Sequence, residues 1–301
     1  MHVAVIGAGA LGTLLAGRLK RAETSVTLVG HPGRHLDAIA DRGVCIERPN
    51  GTAESADLTV STEHDEVAAA DWVLLAVKSY DTKSAMADIA PSLDGTTVLS
   101  VQNGLGNAET IAEYVDPEQV VVGTTGHGAS IPEPGRVDHA GTGETVIGRY
   151  FTDIDEEVET IAATLTAADV ETRVTDRPRD AIWEKLLINV AINASTALAR
   201  VPNGYLLTSQ PGERLLERAI EEAIDVAQAE GRSVPNDVVD HAKTVARRTA
   251  TNTSSMRQDI ESGSRTEIDA LNGAIVSLGR KHDVETPVNQ TLADLVRLAE
   301  R

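Results

Sequence analysis

Lys185, Asn189 and Asn193 stand four residues apart in Ile182-Trp183-Glu184-Lys185-Leu186-Leu187-Ile188-Asn189-Val190-Ala191-Ile192-Asn193, an otherwise apolar run. At about 100° per residue, positions four apart drift by only about 40°, so the three polar side chains line one helix face. The Leu, Ile, Val and Ala on the other faces predict a largely buried helix. One amine and two amides on a buried face need polar partners. Those partners are either other core groups or a bound polar molecule. The set suits reduction of a 2-oxo acid, which needs a nicotinamide for hydride, a proton donor at the carbonyl oxygen and donors for the carboxylate. A lysine ammonium both donates the proton and stabilises the alkoxide, while asparagine amides and serine hydroxyls bind without adding charge.

A nucleotide-binding signature at the other end of the chain gives that face a partner. Gly7-Ala8-Gly9-Ala10-Leu11-Gly12 follows an apolar strand directly and opens a helical pattern through Leu14, Leu15 and Leu19. In that context Gly7 permits the tight turn, Gly9 lets backbone approach a pyrophosphate, and Gly12 lets helix pack on strand. The helix N-terminus then offers free N–H groups to phosphate. A NAD site usually places Asp or Glu after the second strand. Here the chain reads Leu28-Val29-Gly30-His31-Pro32-Gly33-Arg34, without an acid. Arg34, helped by His31, suits a 2′-phosphate, so NADP(H) is favoured. If both are ordinary surface residues, NAD(H) serves as well.

Two further polar spots follow apolar strands: Lys78 after residues 72–77, and Gln102-Asn103-Gly104 after residues 98–101. Ligands of doubly wound sheets bind beyond the carboxyl ends of strands, which places both spots near a cofactor. In the C-terminal half, Ser254-Ser255-Met256-Arg257-Gln258-Asp259 and Arg265-Thr266-Glu267-Ile268-Asp269 form the densest polar cluster. The residues alone leave Asp259, Glu261, Glu267 and Asp269 as equal candidates to pair with a buried lysine.

The elements that must position these groups fall into two sets. Strand patterns at 2–7, 25–29, 72–77, 96–101 and 119–123 alternate with helical patterns at 10–22, 33–41, 81–92 and 106–114. Such alternation predicts an α/β domain, a Rossmann-type doubly wound sheet with helices on both faces. Runs at 127–131, 135–139 and 144–148, joined through Pro and Gly, predict antiparallel hairpins that finish the sheet. A helix near 153–168 and a strand at 170–174 follow. After Asp176 the strand signals almost vanish. Helical patterns at 213–230, 236–250, 265–280 and 289–300 join the Lys185 helix in an all-helical C-terminal domain. The expected domains are 1–175 and 176–301, abutting with a cleft between them. The helices of 213–250 are placed either to pack within their domain or to form a homodimer contact.

Composition narrows the function classes. A 301-residue chain is long enough for sizeable cores, and no run approaches the ~18 apolar residues of a membrane span. The chain opens directly on Val3-Ala4-Val5-Ile6, which predicts a cytoplasmic protein. The single cysteine, Cys45, excludes an internal disulfide and a cysteine-rich metal site, and its strand-like setting predicts a buried packing thiol. The net charge of −19 is spread along the chain, which argues against nucleic acid as a partner. Of 27 basic residues only six are lysine, and Phe occurs once. Carboxylates in excess with scarce lysine predict adaptation to high salt, where the Debye length of about 3 Å at 1 M mutes self-repulsion.

With these residues in view, the chain resembles the ketopantoate reductase (2-dehydropantoate 2-reductase) family along essentially its whole length. The resemblance rests on the glycine motif at 7–12, Val77-Lys78, Gln102-Asn103-Gly104 and Gly123-Thr124-Thr125. It extends to Trp183-Glu184-Lys185-Leu186 with Asn189 and Asn193, Ser255-Met256-x-Gln258-Asp259, and Thr266-Glu267-Ile268-Asp269 with Asn272-Gly273. It implies NADPH-dependent reduction of 2-dehydropantoate to (R)-pantoate, a step towards coenzyme A. It implies Lys185 as general acid and Glu267 as the acid supporting substrate and lysine. It also implies Asn103, Asn189, Asn193 and Ser255 around the substrate, and Lys78 on the cofactor side. One departure is His31 where the family commonly has arginine, which leaves the choice between NADPH and NADH open. The competing readings are a reductase of another branched 2-oxo acid and, from a different class, a non-catalytic dinucleotide-binding regulator. A regulator needs no proton donor.

Overall fold

The computed structural model describes residues 1–48 and 50–300. The first half runs β1 (His2–Ile6), α1 (Ala10–Arg21), β2 (Ser25–Val29), α2 (Arg34–Arg42), β3 (Val44–Glu47), β4 (Ala53–Ala56) and β5 (Thr59–Ser61). It continues with β6 (Trp72–Leu75), α3 (Thr82–Ile89), β7 (Thr97–Ser100), α4 (Asn107–Ile111), β8 (Val120–Thr125), β9 (Gly128–Ser130) and β10 (Arg136–Gly141). Then come β11 (Thr145–Arg149), α5 (Glu156–Ala167) and β12 (Thr172–Val174). The helical part comprises α6 (Pro178–Ala199), α7 (Gln210–Ala229), α8 (Val238–Arg248), α9 (Ser255–Ser262), α10 (Asn272–Lys281) and α11 (Pro287–Ala299). Two compact units emerge: residues 1–102 with 106–178, and residues 103–105 with those from 179 onward.

The first unit is a Rossmann-type domain. Its main sheet has the order β12-β11-β8-β7-β6-β1-β2-β5. From β5 through β8 every pairing is parallel, and the order reverses beside β1. That reversal is the switch point at which such sheets bind ligands. The central strands are buried on both faces: Val3–Ile6 of β1 and all of β6 are apolar, and β7 is buried throughout although Thr97 and Ser100 stand at its ends. Of the expected hairpins, only β11 finishes this sheet, antiparallel to β8. β9 and β10 do pair antiparallel, but they build a separate four-stranded sheet with β3 and β4. The reason is register: β10 runs parallel to β3, a partner nearly a hundred residues earlier that hairpin logic does not suggest. Cys45 lies on β3, where burial alternates, and it is half-buried rather than a core thiol.

The second unit is helical, with no strand among its described residues. Its core gathers around α6, where Trp183, Leu186, Leu187, Val190, Ala191 and Ile192 are all buried. Each large aliphatic side chain buried there contributes roughly 1.5–3 kcal/mol. Pro178 opens α6 at the position that suits its fixed φ. The helix stops where Arg200 turns left-handed (φ 55°), two residues before Pro202. A proline at Leu187 would break the helix and cost about 3 kcal/mol or more.

The expected helix at 265–280 begins only at Asn272, because Leu271 leaves helical geometry (φ −105°, ψ −103°). A helix not foreseen in the sequence, α9, covers 255–262. Ser254 caps it by accepting from the Arg257 N–H (3.3 Å), and Gly263 ends it with φ 70°.

Candidate active site

In the first unit the glycine turn is built by close approach. The Gly7 N–H donates to the Val29 carbonyl at 2.8 Å, tying the end of β1 to the end of β2. Gly7 has φ 111°, and a Cβ there would lie 2.8 Å from the Val77 nitrogen. A Cβ on Gly12 would overlap the Gly7 carbonyl oxygen. Gly9 differs: it has open space around its Cβ direction, and it caps α1 with no side-chain acceptor for the first-turn N–H groups. Two glycines are thus required by packing and the third keeps the helix N-terminus approachable, an arrangement that fits a pyrophosphate. Ala8, Ala10 and Leu11 complete the turn and the first residues of α1.

The end of β2 carries a steric constraint of its own. A Cβ on Gly30 would sit 2.6 Å from the Ala8 Cβ, so an acid at position 30 does not fit without displacing the turn. The next polar side chains, His31 and Arg34, are exposed, and Arg34 opens α2. Lys78 is half-buried at the start of the turn after β6. Gln102 does different work from its neighbour Asn103. Its amide donates to the Val77 carbonyl (2.8 Å) and to Thr82 Oγ1 (2.9 Å), and its oxygen accepts from Ser100 (2.8 Å). It clamps the ends of β6 and β7 together.

In the second unit Lys185, Asn189 and Asn193 lie along α6 as their spacing requires. Asn193 is only 7% exposed, yet among the described residues no protein group hydrogen-bonds the side-chain amide of Asn189 or Asn193. Asn189 is half-buried and Asn193 buried, and both stand on the stripe of Lys185 with their amides open to a bound polar molecule. Burial brings the Lys185 ammonium down from its ordinary 10.5 to about 8, while the negative charge of Glu267 pulls it back upward. Of the four acids that the sequence leaves open, Glu267 is the one whose charge acts on Lys185.

Glu267 is itself 7% exposed and accepts from Asn103 Nδ2 at 3.2 Å. Asn103 reaches it because Gly104 turns with φ 84° and packs where a Cβ would meet the Ala270 carbonyl oxygen at 2.5 Å. The two serines also separate. The Ser254 hydroxyl is buried, caps α9 and contacts Thr196 Oγ1 at 2.8 Å, whereas Ser255 is exposed at the first position of α9. Thr196, one further helical step along α6, was not singled out in the sequence. Its signal was its spacing, three residues past Asn193.

The chain can now be compared with known proteins. The family model for ketopantoate reductase PanE/ApbA matches residues 3–151, and that for its C-terminal part matches residues 178–300. A 2-dehydropantoate 2-reductase of Halobacterium salinarum is 52% identical over 301 residues, covering 100% of this chain and 99% of that one. The crystal structure of a PanE/ApbA family ketopantoate reductase from Ralstonia eutropha superposes with a TM-score of 0.91 at 36% identity, covering 100% of this chain and 98% of that one. A D-mandelate dehydrogenase in ternary complex with NADH and anilino(oxo)acetate superposes with a TM-score of 0.94 at 26% identity, covering 100% and 98% of the two chains. Matched by family models over both of its halves, the chain belongs to the ketopantoate reductase family.

Proposed function

We propose that this protein reduces 2-dehydropantoate to (R)-pantoate with NADPH, a step towards pantothenate and coenzyme A, with Lys185 as the proton donor. The observation that carries the reading is the α6 stripe: a lysine drawn down to about 8 by burial, beside two amides with no protein partner. Lys185 Nζ donates a hydrogen bond to the substrate carbonyl oxygen and passes its proton to the alkoxide. Glu267 keeps that ammonium charged and holds the Asn103 amide. Asn189, Asn193 and the Ser255 hydroxyl bind the substrate's remaining oxygens. The turn Gly7–Gly12 and Lys78 hold the dinucleotide on the first unit. The nicotinamide, when bound, supplies the hydride. The catalytic and substrate-binding part is then the helical unit from about residue 176 onward.

NADPH is favoured over NADH because position 30 cannot hold the customary acid without displacing the turn, and the first polar side chains beyond it are His31 and Arg34. Arg34→Ala is expected to weaken NADPH about tenfold against NADH. Unchanged coenzyme ratios would remove Arg34 from the site.

A second reading, reduction of another branched 2-oxo acid, is favoured by the close superposition on D-mandelate dehydrogenase. Initial rates with 2-dehydropantoate and with phenylglyoxylate at high KCl, using each coenzyme in turn, separate the two. Faster turnover of phenylglyoxylate would replace the primary reading. The net charge of −19 also supports a high-salt protein, and full activity at low salt would count against it.

A further inference from the structure

Glu267 lies outside any helix, so something must hold it beside Lys185. Its carbonyl accepts from the N–H groups of Ala270 (3.1 Å) and Leu271 (3.2 Å), and Gly273 N–H reaches back to Ile268 O (2.9 Å). The turn 267–273 is thus laced to itself. Asn272 sits inside it, and its side chain is fully buried (0% exposed). The Asn272 Nδ2 group donates to the Val190 carbonyl of α6 at 3.0 Å and to Asn289 Oδ1 at 2.9 Å. Val190 directly follows Asn189 on the helix that carries Lys185.

The orientation of this bracket is fixed from behind. Asn289 is also fully buried, and its own amide donates to Ala219 O (3.0 Å) and to Glu222 Oε2 (2.8 Å), so its oxygen must face Asn272. Glu222 in turn accepts the Val288 and Asn289 N–H groups at 2.8 and 2.9 Å, where a carboxylate complements the α11 N-terminus. A flip of Asn272 would put its oxygen against two acceptors. Its Oδ1 meanwhile has no hydrogen-bond partner. A buried oxygen left so costs roughly 1–3 kcal/mol, so this asparagine is a poor choice for stability alone.

We infer that Asn272 is a positioning residue for the reduction: anchored by Glu222 through Asn289, it brackets the Glu267 turn to α6 and holds the Glu267 carboxylate against Lys185. The inference rests on the proposed roles of those two residues.

The test is Asn272→Leu, which keeps the branched shape and removes the donor group, with Asn272→Ser as a smaller side chain and Lys185→Ala as control. All are assayed at high KCl with NADPH and 2-dehydropantoate over pH 6 to 10. For Asn272→Leu the expected result is kcat lower by about tenfold with both KM values within about twofold. The basic limb of its pH profile should also lie below that of the native enzyme by about half a unit, as the Glu267 charge recedes from Lys185. A folded Asn272→Leu with native kcat and an unmoved limb overturns the inference. Failure of both Asn272 variants to fold overturns it too, by assigning the residue to the fold. If instead Lys185→Ala keeps native turnover, it is the reading of Lys185 that falls.

Discussion

Two of the buried cationic groups in this molecule, Arg18 and Lys185, are used oppositely. In the first unit Arg18, 4% exposed on α1, pairs with Glu54 (3.3 Å) and Asp169 (3.4 Å) and donates to His139 Nδ1 at 3.1 Å. That fixes the tautomer: His139 Nε2 carries the hydrogen and donates to His127 Nδ1 at 2.9 Å, and the two rings stack 5.1 Å apart. Burial, His127 and Arg18 together press His139 down to about 4. In the second unit burial displaces Lys185 by a comparable amount, yet the amides beside it have no protein partner. A perturbed pKa therefore does not by itself mark a site. The neighbouring groups differ too: the terminal nitrogens of Arg18 are held by Glu54, Asp169 and His139 although its Nε has no partner, whereas along α6 no described protein group takes the side-chain amides of Asn189 and Asn193.

The comparison is broken most decisively by Lys185→Ala. Turnover should fall by about a thousandfold with NADPH affinity nearly unchanged, whereas His139→Gln should leave kcat within about threefold. Equal losses in the two variants, measured as kcat at high salt, would erase the distinction. Next in size is Glu267→Gln. Native activity should fall as pH rises through about 8, as Lys185 loses its proton. Without the carboxylate that raises Lys185, the falling limb must move to lower pH, and a limb that stays in place refutes the pairing.

The acid stability of the first unit follows. A folded His139 at about 4, against 6.5 when unfolded, contributes stability that is present above pH 6.5 and lost as pH falls towards 4. The loss amounts to about 3 kcal/mol at most, read as a falling Tm that His139→Gln should flatten. The smallest expected effect has the opposite sign. A depressed lysine penalises the fold fully below pH 8, and the penalty is relieved as pH rises from 8 towards 10.5. Lys185→Met should therefore raise stability at neutral pH by about 1–3 kcal/mol while abolishing activity. A lower Tm in that variant would contradict the burial that shifts the lysine.

The two regions also differ in how far the sequence reveals them. The α6 stripe is legible because an i, i+4 pattern is a local property of a helix, and the glycine turn because each glycine answers a local steric demand. Arg18 and His139 stand 121 positions apart, and no spacing rule joins them. The same distance hides the pairing of β10 with β3, so a run that looks like a hairpin closing the main sheet belongs to another. Between 254 and 272 the difficulty is finer. Ser254 and Gly263 signal a helix in retrospect, but the polar run between them resembles a loop. The break at Leu271 leaves no mark in hydrophobic period, and a single helix over 265–280 reads just as well. Residue type and spacing alone do not separate Glu267 from its acidic neighbours; only the family resemblance singles it out in the sequence.

Asn103 adds a constraint on how the molecule is assembled. Residues 103–105 belong to the helical unit although their flanks belong to the other, and the Asn103 amide meets Glu267 across 164 positions of sequence. Closing so long a loop costs about 4–5 kcal/mol of chain entropy before any contact repays it. During synthesis the first unit's strands can pair long before residue 267 exists, so this junction closes late. A fragment beginning at α6 would lack the asparagine altogether, and with it the partner that Glu267 has in residues 103–105.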